Sequence, residues 1–175
     1  MGFTDAVKTC FRKYATFSGR ASRPEYWWFA LFVVLGGIVL SLVDLALFGT
    51  TVVETETSTE IRSNGPLSAI FSLATLIPGL AVGWRRMHDT GRSGLYLLYP
   101  LIVMIGVSTF AGLVGGFDQL ASGDMGGLFA GTIGLVMIVA LFVLMISPLL
   151  VLWWLTRPSQ PGPNEYGPNP HEVIP

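Results

Sequence analysis

Four long runs of apolar residues divide this chain, and short polar segments separate them. The runs cover residues 26–48, 67–84, 95–117 and 127–155. A helix of about 20 apolar residues rises about 1.5 Å per residue and therefore crosses a hydrocarbon core about 30 Å thick. The pattern predicts an all-α integral membrane protein with four transmembrane helices.

The N-terminal residues follow a different pattern. Their apolar side chains recur at the spacing of one helix face, and Lys8, Arg12 and Lys13 lie off that face. This predicts an amphipathic helix before the first span. Such a helix either lies on an anionic leaflet or packs on the cytoplasmic ends of the spans, and both can hold at once.

The segments outside the spans are polar or rich in turn-forming residues. Residues 49–66 form a loop whose β-branched part is either a short hairpin or irregular, and residues 118–126 form a short loop. Residues 158–175 are rich in Pro and Gly, so we expect them to be extended or disordered. The chain is therefore divided into a single membrane domain, residues 1–157, and a tail, residues 158–175.

Composition supports the membrane assignment and narrows the chemistry. Hydrophobic residues make up 51% of the chain and charged residues only 12%, whereas soluble domains have about 25% charged residues. The single Cys10 excludes an intrachain disulfide, and no zinc, haem, P-loop or hydrolase motif is present. The sequence thus predicts no cofactor, no metal, no nucleic-acid partner and no catalytic residue of a known motif.

The distribution of basic residues predicts the orientation. Nine of the ten Lys and Arg residues lie in the N-terminal segment, between the second and third spans, or after the fourth span. The two remaining loops hold only Arg62. Because cytoplasmic segments carry the excess of Lys and Arg, we expect both termini to be cytoplasmic and residues 49–66 and 118–126 to face outward.

Two charged stretches border the spans on the predicted cytoplasmic side, and we treat them as one candidate polar cluster. Arginine with carboxylate either forms a structural network at the helix ends or binds an anionic lipid headgroup. A carboxylate can also orient a histidine as a general base, so a catalytic or phosphate-binding role for His88 and Asp89 stays open. The candidate residues are Arg20, Arg23, Glu25, Arg85, Arg86, His88, Asp89 and Arg92.

Two features inside the spans allow alternative interpretations. Asp44 is the only ionisable residue in a predicted span; it either marks an ion or proton path or simply reaches the outer interface. The spacings Gly112-x-x-x-Gly116 and Gly127-x-x-x-Gly131 favour close packing of helices.

Three motifs in this order, residues 17–27, 85–94 and 162–170, resemble a bacterial inner-membrane family, domain of unknown function 805 (DUF 805). The motifs read FSGRASRPEYW, RRMHDTGRSG and GPNEYGPNP. The resemblance covers nearly the whole chain and implies a small multi-span protein of the cytoplasmic membrane. It implies no activity.

We therefore expect a multi-pass inner-membrane protein that is a non-enzymatic membrane or interaction module. Its partners would be anionic lipid headgroups, with a homo-oligomer or a membrane-protein partner as further options. The alternative is an interfacial membrane enzyme or small transporter that uses His88, Asp89 and Asp44.

Overall fold

The computed structural model of the chain describes residues 1–54, 59–63 and 65–170. These residues are mainly helical, with one two-stranded hairpin, short non-helical connections such as residues 13–22 and 90–93, and a non-helical C-terminal segment. A 3-10 helix, Gly94–Leu98, precedes α4. The elements are α1 (Phe3–Arg12), α2 (Arg23–Phe48), β1 (Thr50–Glu54), β2 (Thr59–Ser63), α3 (Leu67–Asp89), α4 (Tyr99–Leu113), α5 (Gly116–Ser122), α6 (Met125–Leu128) and α7 (Gly131–Thr156).

Four helical segments are long and apolar enough to cross a membrane, as the sequence predicts. They are Arg23–Phe48, Leu67–Asp89, Gly94–Leu113 and Gly131–Thr156. The sequence predicts that the second span ends at residue 84, and the helix that contains it, α3, continues through the charged residues to Asp89. A run of charges does not end a helix when the side chains are paired inside the protein.

The third and fourth spans also differ from their predicted bounds. The helix of the third span ends at Leu113, and α7 begins only at Gly131. The short helices α5 and α6 fill the interval where a longer span and a simple loop were expected. Gly115, with a φ of 73°, interrupts the helix in a left-handed conformation that favours glycine.

The same interruption overturns the expectation from the glycine spacings. Gly112 lies in α4 and Gly116 begins α5, so these two residues do not share a helix face. Gly127 and Gly131 are likewise separated by the break between α6 and α7. The glycines therefore mark helix ends rather than a continuous packing surface.

The spans associate as two pairs. Helix α2 packs along α3, and α4 packs along α7. The pairs meet at one end of the molecule, where Met87 of α3 packs against Val151 and Leu155 of α7. Many apolar side chains elsewhere on the helices are exposed, as expected where a helix faces lipid.

The N-terminal helix α1 packs against α2 and α3. Its Ala6 and Cys10 are completely buried, and Phe11 makes an edge contact with Phe29 of α2 at a centroid distance of 5.7 Å. The hydroxyl of Tyr14 donates a hydrogen bond to the carbonyl of Ala74 at 2.8 Å. One face of α1 is thus used for packing on the first helix pair.

The end of this pair at which α3 begins carries a hairpin and a cap. Strands β1 and β2 are antiparallel, with Thr50 opposite Ser63 and Glu54 opposite Thr59. Residues 55–58, which belong to the segment where a hairpin or an irregular loop was expected, lie outside the described residues. The hairpin returns the chain from α2 to the start of α3.

Asp44 caps helix α3 from the neighbouring helix. Its two carboxylate oxygens accept hydrogen bonds from the backbone N–H groups of Leu67 at 3.0 Å and Ser68 at 2.8 Å. The first N–H groups of a helix have no partner within the helix, so a buried carboxylate there is both satisfied and stabilising. This contact is a structural use for the carboxylate.

We predict that Asp44→Ala lowers the free energy of unfolding by about 1–2 kcal/mol, the usual loss when a helix cap is removed. Ser41→Ala, one turn earlier on an exposed position of α2, is the matched control and should change stability little. Unfolding of the detergent-purified protein measures both. Equal stability of the two variants would show that the cap contributes nothing.

Candidate functional site

The segment between α1 and α2 folds back on the last turns of α3. The N–H of Ala21 donates to the carbonyl of Arg85 at 3.0 Å. The carbonyl of Gly19 lies 3.0 Å from Nδ1 of His88. Because a carbonyl oxygen only accepts, Nδ1 of His88 must carry the proton in this contact. These two contacts place Arg20 directly over the C-terminal end of α3.

Asp89 is the centre of the polar interactions at this end. One carboxylate oxygen pairs with Nε of Arg20 at 2.9 Å, and the other accepts from Nη1 of Arg86. The hydroxyl of Ser159 also donates to the second oxygen. The side chains of Arg20, Arg86 and Asp89 are at most 1% exposed. We call Arg20, Arg86, Asp89 and Ser159 the Asp89 network.

The guanidinium groups also hold the end of α7. Arg86 donates through Nε to the carbonyl of Leu155 at 3.1 Å and through Nη2 to the carbonyl of Arg157. Arg23 donates to the same Arg157 carbonyl at 2.8 Å. The last carbonyls of a helix lack intrahelical donors, and a cation is favoured there. Arg86 therefore joins the C-terminal ends of α3 and α7.

The C-terminal segment is bound to this network at positions from Ser159 to Gly167. Nη1 and Nη2 of Arg20 donate to the carbonyls of Gly162 at 2.7 Å and Gln160 at 2.6 Å. The N–H of Gln160 donates to the backbone carbonyl of Asp89 at 2.8 Å. The segment is non-helical, and Ser159, Gln160 and Asn164 within it bond to α3. Residues 171–175 lie outside the described part of the chain.

His88 connects the second motif to the third. Its ring stacks on that of Tyr166 with a centroid distance of 3.8 Å and an interplanar angle of 6°. The side-chain amide of Asn164 donates to the His88 carbonyl at 3.0 Å, and its carbonyl oxygen accepts from the Tyr166 N–H at 2.9 Å. One face and one nitrogen of the imidazole are thus used in structural contacts.

Glu25 and Arg85 form a second ion pair beneath α1. Glu25 accepts from Nη1 of Arg85 at 2.6 Å, and both side chains are almost completely buried. Cys10 lies beside this pair. Burial raises the pKa of the Cys10 thiol to about 12, and the negative charge of Glu25 adds to the rise. Burial and a raised pKa both make a thiol a poor nucleophile.

Arg92 does not join the Asp89 network, although the sequence places it in the same stretch. Its guanidinium lies over the ring of Trp154, 5.3 Å from the ring centroid. Gly91, with a φ of 72°, turns the chain after α3 and directs Arg92 toward α7. The guanidinium of Arg157 lies over Trp153 in a similar way, 4.9 Å from the ring centroid.

Residues of all three sequence motifs are thus in contact at one end of the molecule. Residues 14–168 match the model of the family described as "Protein of unknown function (DUF805)". The chain belongs to this family. The match includes α2, α3, α4, α7 and most of the C-terminal segment, so the DUF805 unit contains the four candidate spans and the Asp89 network.

Two curated relatives of this DUF805 chain are Escherichia coli (strain K12) proteins. "Inner membrane protein YhaI" is 37% identical over 95 residues, which cover 54% of this chain and 70% of the relative. "Inner membrane protein YhaH" is 36% identical over 95 residues, which cover 54% and 71%. No solved structure shows a significant match. With the four spans, these matches identify a bacterial inner-membrane protein.

The candidate residues of this DUF805 protein fall into distinct groups. Arg20, Arg86 and Asp89 share one network, Glu25 and Arg85 form a separate pair, and Arg23, His88 and Arg92 bind carbonyls or rings. Asp44 lies at the other end of the spans. Among the described residues no group of three or more His, Cys, Asp or Glu is placed to hold a metal.

Sequence reasoning missed the partners contributed by the C-terminal segment. Ser159, Gln160, Asn164 and Tyr166 each contact α3 or the side chains bound to it. The Pro and Gly content correctly excluded a helix, but it also drew attention away from the hydrogen-bonding groups. The repeated Pro-Asn and Gly-Pro turns of the third motif were the available signal for an ordered structure.

We predict that Asp89→Ala destabilises the protein by about 3–5 kcal/mol, because it leaves two buried guanidinium groups without their carboxylate. Asp118→Ala, which removes an exposed carboxylate from α5, should change stability by less than about 0.5 kcal/mol. Chemical unfolding in detergent compares the two. Adding Arg20→Ala to Asp89→Ala should cost less than the sum of the single changes; strict additivity would mean that the Arg20–Asp89 pair is not coupled.

Proposed function

We propose that the protein is a non-enzymatic module of the bacterial cytoplasmic membrane whose cytoplasmic face binds anionic lipid headgroups. The observation that carries this proposal is the unequal use of charges at the end with the Asp89 network. The buried carboxylates Glu25 and Asp89 are both committed to buried arginines. The exposed charge that remains there is mostly basic.

The exposed and partly exposed charged residues at this end show the imbalance. Among the described residues there, the acidic ones are Asp5 and Glu165. The basic ones are Lys8, Arg12, Lys13, Arg23, Arg92 and Arg157. A basic surface beside apolar helices and interfacial tryptophans attracts anionic lipid at about 1 kcal/mol per basic residue near the membrane surface. This supports a membrane surface as the partner of this face.

Both termini are cytoplasmic in this proposal. Nine of the ten Lys and Arg residues belong to the segments at one end of the spans, and four candidate spans return the chain to the side on which it started. The N-terminal helix α1 then lies at the inner leaflet. Its buried face contacts α2 and α3, and Lys8 and Arg12 are exposed to headgroups.

The alternative of an interfacial enzyme or small transporter finds less support in the contacts of its proposed residues. A general base or an ion carrier needs a polar atom that substrate or water can reach. Asp44 and Asp89 are completely buried, and their oxygens accept internal hydrogen bonds. His88 is 7% exposed, and its ring is stacked and hydrogen-bonded within the protein. These contacts favour structural roles for all three residues.

The orientation is tested with reporter fusions to the full-length chain. A fluorescent protein that folds only in the cytoplasm, attached after Pro175, should fluoresce. A periplasm-active phosphatase inserted at Gly123, between α5 and α6, should be active. The reverse pattern at either position would contradict the proposed topology.

Lipid selection is tested on the protein extracted from a membrane that contains anionic and zwitterionic phospholipids. Native mass spectrometry should show retained lipids enriched in anionic species relative to the bulk membrane, because the exposed basic surface favours negative headgroups. Retained lipids that mirror the bulk composition would contradict the proposal. Proton or ion flux through reconstituted vesicles that is abolished by Asp44→Asn would instead favour the transporter.

A further inference from the structure

Two arginines beside the Asp89 network are held over adjacent tryptophans at the end of α7. Arg92 lies over Trp154 and Arg157 lies over Trp153, with distances of 5.3 Å and 4.9 Å from guanidinium carbon to ring centroid. A guanidinium stacked on an aromatic face keeps its N–H donors free around its edge. The two side chains are thus positioned without using most of their hydrogen-bonding capacity.

These two arginines differ from the buried ones in their lack of a carboxylate. Arg20, Arg85 and Arg86 each pair with Asp89 or Glu25. No ion pair to Arg92 or Arg157 is found among the described residues, and Arg92 donates only to the carbonyl of Thr90, at 3.2 Å. Their positive charges are therefore available to an external anion.

The two charges are also close enough to affect each other. Burial lowers the pKa of Arg92, and the positive charge of Arg157 lowers it further. Two like charges near a hydrocarbon boundary repel each other more strongly than in bulk water. An anion bound near both guanidinium groups would offset this repulsion.

An apolar groove lies next to this pair. It has a volume of about 320 Å³ and is lined by Ser93, Leu95, Tyr96, Tyr99 and Ile102. The ring of Tyr96 contacts that of Trp154 at a centroid distance of 5.2 Å, so the groove adjoins the ring over which Arg92 lies. A ligand bound here would meet cations at one end and apolar side chains along its length.

We propose that Arg92 and Arg157 bind the phosphate of an anionic phospholipid whose acyl chain lies along the groove of Tyr96, Tyr99 and Ile102. The guanidinium fork matches phosphate oxygens in pairs, and the adjacent groove favours a lipid over free phosphate. The site rests on the proposed function for its ligand class, and it identifies the residues that bind the headgroup. It is separate from the Asp89 network, whose arginines are already occupied.

The test uses purified full-length protein that has been delipidated in detergent. Native mass spectrometry gives its affinity for dioctanoyl phosphatidylglycerol, for dioctanoyl phosphatidylcholine and for inorganic phosphate. Phosphatidylglycerol should bind most tightly. The double variant Arg92→Gln/Arg157→Gln should bind it at least about tenfold more weakly, because each charge-assisted pair contributes roughly a factor of ten.

The matched control is Lys8→Gln/Arg12→Gln, which removes the same number of charges from exposed positions on α1. Its affinity for phosphatidylglycerol should fall much less than that of Arg92→Gln/Arg157→Gln, since those side chains belong to the wider basic surface but lie outside the site. A second double variant, Arg92→Lys/Arg157→Lys, keeps both positive charges. It is expected to fold even if the Gln double variant does not. It should bind several-fold more weakly than the wild type, because an ammonium lacks the guanidinium fork.

Each contrary result has a distinct meaning. Equal weakening in the α1 control would overturn the site and leave only nonspecific charge attraction. Inorganic phosphate that displaces the lipid at similar concentration would overturn the lipid as ligand and leave an anion site. If the wild-type protein prefers phosphatidylglycerol and the Arg92/Arg157 variants bind it equally well, this inference is overturned and the proposed function stands. If the wild-type protein shows no preference, both are overturned.

Discussion

The structure depends on one buried carboxylate. Asp89 ends α3 and is completely buried, where an unpaired charge would be costly, and it is satisfied by Arg20, Arg86 and Ser159. These partners come from three distant parts of the chain: the turn before α2, the last turn of α3 and the segment after α7. Without the carboxylate, Arg20, Arg86 and Ser159 would lose the partner that they share. One side chain therefore positions the ends of three helices, α2, α3 and α7.

The buried charges do not cancel among themselves. Three arginines, Arg20, Arg85 and Arg86, face two carboxylates, Glu25 and Asp89. The surplus is offset by carbonyl oxygens at the end of α7 and in the C-terminal segment, which carry partial negative charge and have no helical donors. The arginines without a carboxylate of their own and the carbonyl oxygens without a helical donor thus satisfy each other. This explains how a Pro- and Gly-rich segment with few apolar residues is held on α3.

The sequence predicted the helices, whose positions depend on a local pattern of apolar residues. It did not predict the features that depend on contacts between distant residues. Hydropathy located the four spans because each must bury its own backbone and face lipid. It did not show that helix α3 continues past residue 84, since much of the pairing that allows Arg85 and Arg86 to be helical and buried comes from residues far away in sequence. The contact of Arg20 with Asp89 was expected from their shared side of the membrane, but the docking of Tyr166 on His88 had no periodic signal.

In the motif RRMHDTGRSG, Gly91 separates two arginines that pair inside the protein from a third, Arg92, that does not. Up to Asp89 the chain is helical, so its arginines point into the protein and are neutralised there. Gly91 then adopts a left-handed conformation, and a side chain at this position would also meet Gln160 of the docked segment. After this turn Arg92 no longer follows the helix and instead reaches Trp154 on α7. The arginines before the glycine, Arg85 and Arg86, are therefore paired internally, and Arg92 after it is available as a cation. A basic surface is thus presented without weakening the Asp89 network, which holds the helix ends together.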